Sequence, residues 1–424
     1  MTKLNLMGKK LLVLAGKPVG TEDIINYAKS KGVYVIVADY LPIEKSIGKQ
    51  LADEVWDIST ADVDELVRRC QMSCIDGVYT GVHEFNILKA IEICERLNLP
   101  FYASREHWNI GTDKALFKDI CEKYDLPCAK SYSLDIIDEI VYPVIVKPVD
   151  ASSGKGISIC HNETELHEAI EVALLESTKK QYIIEQYIFG DEFAVDYSIV
   201  NGESKLAIIS DFYYNYDQVI TQPLPQVYIH PSRHIDKYMN EMDVKVRAML
   251  KGLNIKNGFF WLQGFINEKG FFFFESGFRP GGSAVWRWTK YFNNISCIEM
   301  LTNYSLTGEM GDDLNKENPY YPKPCSTLSL VVTGGEIAKI EGYEEMKHLS
   351  EVIYSEKRFD EGDVVKRMSA LGQVVIRFFI VANSYEHLFY VINLIQSTIR
   401  ILDANGNNML IKPFDTNRIE HLYK

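Results

Sequence analysis

The 424-residue chain has no CxxC pair among its eight cysteines and a net charge of −13. It also has no apolar run near the roughly 18 to 20 residues that a membrane span needs. Each absence excludes something. Without CxxC spacing, Cys70 and Cys74, four apart on a helical stretch, read as packing residues. Reduced thiols and a cytoplasmic location are therefore expected. The acidic balance argues against general binding to nucleic acid or anionic membrane, while leaving room for a local basic pocket around a small phosphate ligand. The N-terminal LLVLAG stretch is short and runs straight into turn chemistry, so it reads as a first strand and not as a signal peptide. No internal repeat or low-complexity segment stands out. The turn at Gly16 lacks GxGxxG, so a dinucleotide site is not expected there.

What is present is ordinary globular chemistry, 46% hydrophobic and 24% charged, in a chain too long for one core. Two or three domains follow. In the first, Leu11–Leu14, Tyr34–Ala38 and Val78–Thr80 are near-continuous apolar runs separated by helical stretches, the pattern of a parallel sheet covered by helices. Ligands in such sheets lie beyond the carboxyl ends of the strands, which puts Gly16, Asp39 and the His83–Glu84 pair on one rim. Glu84 is then either a substrate-facing carboxylate or a helix-start acid.

The stretch VIVKPVDASSGKGISI, from Val144, is a strand, a small polar loop and a second strand. It is a hairpin flap whose backbone N–H groups can wrap phosphate oxygens, with Lys147 and Lys155 supplying positive charge. A plain surface hairpin has the same pattern, and it is not a P-loop, since the glycine ahead of Gly-Lys-Ser/Thr is missing. Upstream, Thr112 or Asp113 caps a helix that carries Lys114 in its first turn, where a cation opposes the helix dipole. Downstream, QYIIEQYIFGDEFAVDYSIV reads as two strands around a short connection; Glu185 can accept from an exocyclic amine and Glu192 can hold ribose hydroxyls, although a sheet edge would look the same.

From Gly258 two apolar strands flank Glu268, Lys269 and Gly270. A three-residue loop pairs Asn267 with Phe271 and sets Gln263 opposite Glu275. A carboxylate among phenylalanines is costly unless paired or metal-bound, and magnesium takes one or two carboxylates plus substrate phosphates. Arg279 follows, able to clamp a carboxylate or phosphate or to pair with Glu275. His230 and His234 are four apart, but Pro231 works against a helix presenting both; a loop giving His230, Ser232 or Arg233 to an acceptor site is the alternative. Arg287, between two tryptophans, either lines a pocket or starts an amphipathic helix. Beyond the proline-rich NPYYPKP, short strands at Thr327–Val332, Gly334–Ile340, Val352–Ser355 and Gln373–Val381 precede a helix at Tyr385–Ile399.

In this order, the segments resemble the ATP-grasp superfamily of carboxylate–amine ligases, in the branch of biotin carboxylase, carbamoyl phosphate synthetase and glycinamide ribonucleotide synthetase. The resemblance implies an α/β and α+β multidomain chain. A Rossmann-like pre-ATP-grasp domain would span 1–110, a two-lobed ATP-grasp domain 111–310 (flap lobe about 111–190, metal lobe about 191–310), and a small β-rich domain 311–424. By position, Lys114 and Lys147 match the phosphate-holding lysines, with Lys147 and Arg279 as catalytic residues. Ser152, Ser153, Gly154, Lys155 and Gly156 match the flap. Glu185, Tyr187 and Ile188 match the adenine hinge and Glu192 the ribose acid. Glu275 matches the principal magnesium ligand, with Gln263 beside it.

The implied cofactors are ATP and Mg2+, the implied partners a small-molecule carboxylate and an amine, an amino acid among the candidates, and the implied assembly a homodimer. Two departures stand out: Gln263 where the family has an acid and Gly277 where it has an asparagine. They leave open a site with fewer ions, one that recruits another acid such as Asp211, or a nucleotide-binding protein without turnover. A bicarbonate- or glycine-activating relative is the other alternative.

Overall fold

Near-continuous apolar runs need cover on both faces, and the first sheet is built that way. In the computed structural model, which describes residues 4–17, 19–150, 155–214, 225–367 and 370–424, strands β1 (Lys10–Leu14), β2 (Tyr34–Ala38), β3 (Glu54–Trp56) and β4 (Gly77–Thr80) form an all-parallel sheet in the order β3-β2-β1-β4. Helices Thr21–Ser30 and Glu84–Leu97 follow β1 and β4.

The second sheet, antiparallel, comprises β5 (Ser131–Tyr132), β6 (Val144–Pro148), β7 (Ser158–Cys160) and β8 (Tyr182–Gln186) in the order β5-β8-β6-β7. The β6–β7 pair is the hairpin expected from sequence, with Val144 opposite Cys160. Of the flap, Ser152, Ser153 and Gly154 lie outside the described residues. Gly156 has φ +70, and a Cβ there would stand 2.8 Å from the Pro148 ring, so this turn requires glycine.

The third sheet is the scaffold of the molecule. Strands β9 (Asp191–Val200), β10 (Glu203–Tyr214), β11 (Pro225–His230), β12 (Gly258–Asn267), β13 (Gly270–Gly277) and β14 (Cys325–Val331) join strands Val374–Val381 and Val352–Lys357 in one eight-stranded sheet. Its order runs β13-β12-β9-β10-β11-β14, then Val374–Val381 and Val352–Lys357. The tail therefore continues the central sheet through the β11–β14 ladder, where His230 faces Cys325. We propose 311–424 as a domain that completes this sheet. One sequence expectation there is corrected: Gly334–Ile340 is not a single strand but two short pieces, Gly335–Glu336 and Lys339–Glu341, that pair with different partners. The reason is local. Gly334 and Gly335 both have positive φ, and the Ile337 and Ala338 amides donate to Asp363 and Leu402.

His230 belongs to this core and not to an open loop. It is fully buried, its ring lies 5.7 Å from that of Trp288, and neither ring nitrogen has a partner among the described residues. Burial pushes its pKa down to about 3. The folded value lies below the unfolded one, so as pH falls below about 6.5 the unfolded chain gains a proton that the folded chain refuses. Stability is then lost between about pH 6.5 and 3. His230→Phe removes that loss, so wild type should lose about 2 kcal/mol more than the variant between pH 7.5 and 5. Denaturation at the two pH values checks this; equal losses in both proteins would contradict it.

Candidate active site

A buried triad of charges sits under the flap sheet. β6 delivers Lys147 and β8 delivers Glu185, on neighbouring strands. The Lys147 Nζ donates to Glu185 Oε2 at 3.0 Å, and Lys118 Nζ donates to Glu185 Oε1 at 2.8 Å. Burial alone would raise the Glu185 carboxyl, but the two ammonium groups outweigh it and hold the pKa below its ordinary value. Lys118 also donates to the Ala129 carbonyl, and the Lys147 ammonium lies 5.4 Å from the centroid of the Phe274 ring, which ties the flap sheet to β13.

Sequence reasoning placed Glu185 against a purine amine, but both its oxygens are taken by lysines. It also overlooked Lys118, although a lysine one turn beyond Lys114 shares its helix face. The cap of that helix is Asp113, which accepts from the Ala115 and Leu116 amides. Lys114 lines a cavity together with Trp261, Asp150 and Glu275. At the hinge, the Tyr187 amide donates to Pro143 O at 3.1 Å, its ring packs edge-on against Phe189 and Ile188 is buried. Lys155 stands exposed at the described end of the flap.

The β12–β13 hairpin reaches the expected pairing by an unexpected route. Its turn is one residue tighter, with Asn267 opposite Gly270 and Ile266 opposite Phe271, and a bulge at Phe274 then restores Gln263 opposite Glu275. Gln263 also faces Ala194 of β9, next to the Glu192 strand position. Glu192 Oε1 accepts from the Tyr214 hydroxyl at 2.5 Å and from the Gln263 amide. Burial raises the Glu192 carboxyl to about 7, with a further push from the Glu275 charge, against the lowering by Tyr214 and Gln263.

With its nitrogen committed to Glu192, Gln263 has its amide oxygen left for a cation beside Glu275. Among the described residues no group of three or more His, Cys, Asp or Glu is placed to hold a metal. The donor set fits an ion that takes one carboxylate and one amide oxygen from protein and the rest from phosphates and water. Asp211 is not available to it. Asp211 is buried, accepts from Ser232 (2.5 Å), the Arg233 amide and Tyr423, and alternates with Phe212 to the other face of β10.

Gly277 has a steric cause. A Cβ at this position would stand 2.3 to 2.5 Å from the Trp261 indole, its register partner. An asparagine cannot share that space. Gly277→Asn should therefore destabilise the protein by about 1–3 kcal/mol, as overpacking does, and adding Trp261→Ala should recover at least half of that. Urea titrations of the two single variants and the double variant measure the coupling. Additive losses would contradict the assignment.

Arg279 does not pair with Glu275. Its Nη2 reaches Glu84 Oε1 at 2.9 Å, its Nη1 donates to Pro280 O at 3.1 Å, and its guanidinium lies 5.5 Å from the Trp261 ring centroid. Glu84 opens the Glu84–Leu97 helix, behind His83 at its cap position, so the pair bridges the first sheet's rim to the central one. Asp39 is spent on that rim, accepting from the Gly16 and Leu41 amides and the Ser46 hydroxyl. Arg233 and His234 pair with Asp191. Arg287 is on the helix Trp286–Asn293, donates to Asp23 at 2.9 Å and lies 3.4 Å from the Tyr354 ring centroid, so it ties the first domain to the tail. Glu192, Gln263, Glu275 and Arg279 share a cleft of about 420 Å³ that Ile157 and Phe274 also line.

Residues 140–285, which contain all four, match the model of the ATP-grasp domain. Solved structures similar over nearly the whole chain include phosphoribosylglycinamide synthetase from Anaerococcus prevotii, 17% identical with a TM-score of 0.73 over 93% of this chain and 99% of that one. An L-amino acid ligase from Bacillus licheniformis is 18% identical with a TM-score of 0.75 over 93% and 99%. The biotin carboxylase domain of 2-oxoglutarate carboxylase from Hydrogenobacter thermophilus is 17% identical with a TM-score of 0.77 over 99% of each chain. At these identities the likeness speaks for the fold, and the matched domain for the family. Residues 140–285 of the chain are therefore an ATP-grasp domain.

Proposed function

We propose that this protein is an ATP- and magnesium-dependent ligase that activates a substrate carboxylate as an acyl phosphate and joins it to an amine. The observation that carries the reading is the convergence in one cleft of the Gln263–Glu275 register pair and Arg279, beside the Lys147–Glu185–Lys118 triad. The relatives support it. Two of them are named as a synthetase and a ligase, and the Hydrogenobacter thermophilus domain was solved as a dimer with MgADP and bicarbonate.

In this reading Lys147 and Lys114 bind the phosphates of ATP, with Lys155 and Gly156 of the flap closing from above. Lys118 shares the Glu185 carboxylate with Lys147 and so fixes where the Lys147 ammonium stands. Glu275 and the Gln263 amide oxygen would hold magnesium, whose charge offsets that on the phosphate oxygens. Arg279, already oriented by Glu84 and lying over the Trp261 ring, steers the substrate carboxylate toward the γ-phosphate. The carboxylate attacks phosphorus and ADP leaves; an amine then displaces phosphate from the acyl carbon. Exclusion of water from the cleft protects the intermediate from hydrolysis. No side-chain nucleophile enters.

Gln263 and Gly277 motivate the alternative of a nucleotide-binding role without turnover. The contacts give both residues a positive use, since Gln263 satisfies Glu192 and Gly277 accommodates Trp261. Calorimetry with ATP and magnesium, followed by phosphate release against pools of small carboxylic acids and amines, tests the proposal. Binding together with release stimulated by a carboxylate is expected. Binding without stimulation by any pool would favour the role without turnover, and no binding would sink both. Among the described residues, no helix is long and apolar enough to cross a membrane. We propose a cytoplasmic location because all eight cysteines are free thiols, and a homodimer by analogy with the Hydrogenobacter thermophilus domain.

A further inference from the structure

Alternation along β9 sends Glu192, Ala194 and Asp196 to the cleft face of the central sheet. Glu192 is satisfied by Tyr214 and Gln263. Asp196 is different: it is 4% exposed, and among the described residues it takes part in no hydrogen bond or ion pair. A buried carboxyl without a partner is costly, and burial alone lifts its pKa to about 8.

The space beside it is open. A Cβ on Gly281 would stand 3.8 Å from Asp196 Oδ1, and a Cβ on Gly282 would meet nothing within 4 Å. Its register partner on β12 is Trp261, whose indole N–H is also buried without a partner among the described residues. The cleft is lined by the carboxyl groups of Glu192, Asp196 and Glu275 and by one guanidinium, that of Arg279. With Glu192 hydrogen-bonded and Glu275 assigned to the cation, Asp196 is the lining carboxyl left without a partner among the described residues, and Arg279, held by Glu84 through Nη2, is the lining guanidinium.

We propose that Asp196 anchors the ammonium group of an amino-acid substrate whose carboxylate is turned toward Arg279 for activation. The inference rests on the ligase reading above and adds the substrate class. A zwitterion brings, in one molecule, an ammonium for the unpartnered Asp196 carboxyl and a carboxylate for the Arg279 guanidinium that Glu84 already orients. An amine held at Asp196 as ammonium has no free lone pair, so it is not the nucleophile; the accepting amine is a second molecule.

The test compares the proteinogenic L-amino acids with the matching carboxylic acids that lack the amino group, in phosphate release and in calorimetric binding with ATP and magnesium present. Wild type should respond to at least one amino acid and not to its des-amino counterpart. Asp196→Asn should raise the KM for that amino acid about 10- to 100-fold, the loss of one charge-assisted contact, while the KM for ATP stays within about 2-fold. The near-isosteric change, with ATP binding and melting measured alongside, shows that the variant is folded.

An equal response to des-amino acids, or an unchanged amino-acid KM in Asp196→Asn, overturns the proposal and leaves the ligase reading standing. A wild type that binds ATP but responds to no carboxylate of either kind, or that fails to bind ATP, takes both down together.

Discussion

Glu275→Ala is expected to fold, and to release phosphate from ATP at least about 100-fold more slowly than wild type, a loss comparable to removing one preorganised electrostatic contact in a reacting centre. Glu275 comes from β13 opposite Gln263 and is the cleft carboxylate assigned to the cation. Glu192, the nearest alternative, is held by Tyr214 and Gln263 with its pKa raised to about 7. Removal of Glu275 leaves the Gln263 amide oxygen as the assigned protein donor, which is too little for magnesium in competition with water. The measurement is steady-state phosphate release at a magnesium concentration that just saturates wild type, with melting recorded in parallel. Full activity in the variant would show that the metal stands elsewhere. Raising the magnesium concentration should recover part of the lost rate, since a weakened site is filled by mass action.

The second large effect concerns stability. Glu185→Gln leaves Lys147 and Lys118, whose side chains are 9% and 12% exposed, facing each other without their shared counter-charge. Removing one partner from a buried charge cluster typically costs about 3–5 kcal/mol, because the remaining charges stay buried and uncompensated. The variant should lose stability of that order in denaturant. ATP then supplies the negative charge that is missing. If Lys147 grips the phosphates, ATP should raise the melting temperature of Glu185→Gln by more than it raises that of wild type. An equal shift in the two proteins would mean that phosphate charge never reaches these lysines.

Much of the fold could be read in the sequence because burial writes itself into periodicity. The apolar runs at Leu11–Leu14 and Tyr34–Ala38, closed by turn residues, left few options besides parallel strands, and they are parallel strands. The flap hairpin was legible for the same reason. The β12–β13 register was legible only in part. The expected three-residue loop is one residue shorter in the structure, and the bulge at Phe274 compensates. Both the expected and the observed routes put Gln263 opposite Glu275, but periodicity cannot reveal a bulge at the end of a run of four phenylalanines.

Side-chain partnerships across domains were the least legible. Glu84 and Arg279 are far apart in sequence, and only the packing of the first sheet's rim against the central sheet brings them to 2.9 Å. Lys118 and Asp196 carried a faint signal each, the first at helical spacing from Lys114 and the second at strand spacing from Glu192. In each case the spacing says which face a residue shares and not which partner it meets. The tail shows the limit from the other side. Its strands were legible as strands, yet nothing local says that Cys325–Val331 pairs with β11 and extends the scaffold of the cleft.

Trapping with hydroxylamine tests the central claim, activation of a carboxylate as an acyl phosphate, most directly. Protein, ATP, magnesium, a substrate carboxylate and hydroxylamine should yield the hydroxamate together with equal amounts of ADP and phosphate, and Glu275→Ala should yield none above background. Turnover of ATP that is independent of carboxylate, or that leaves no hydroxamate from any carboxylate that stimulates it, would contradict the account.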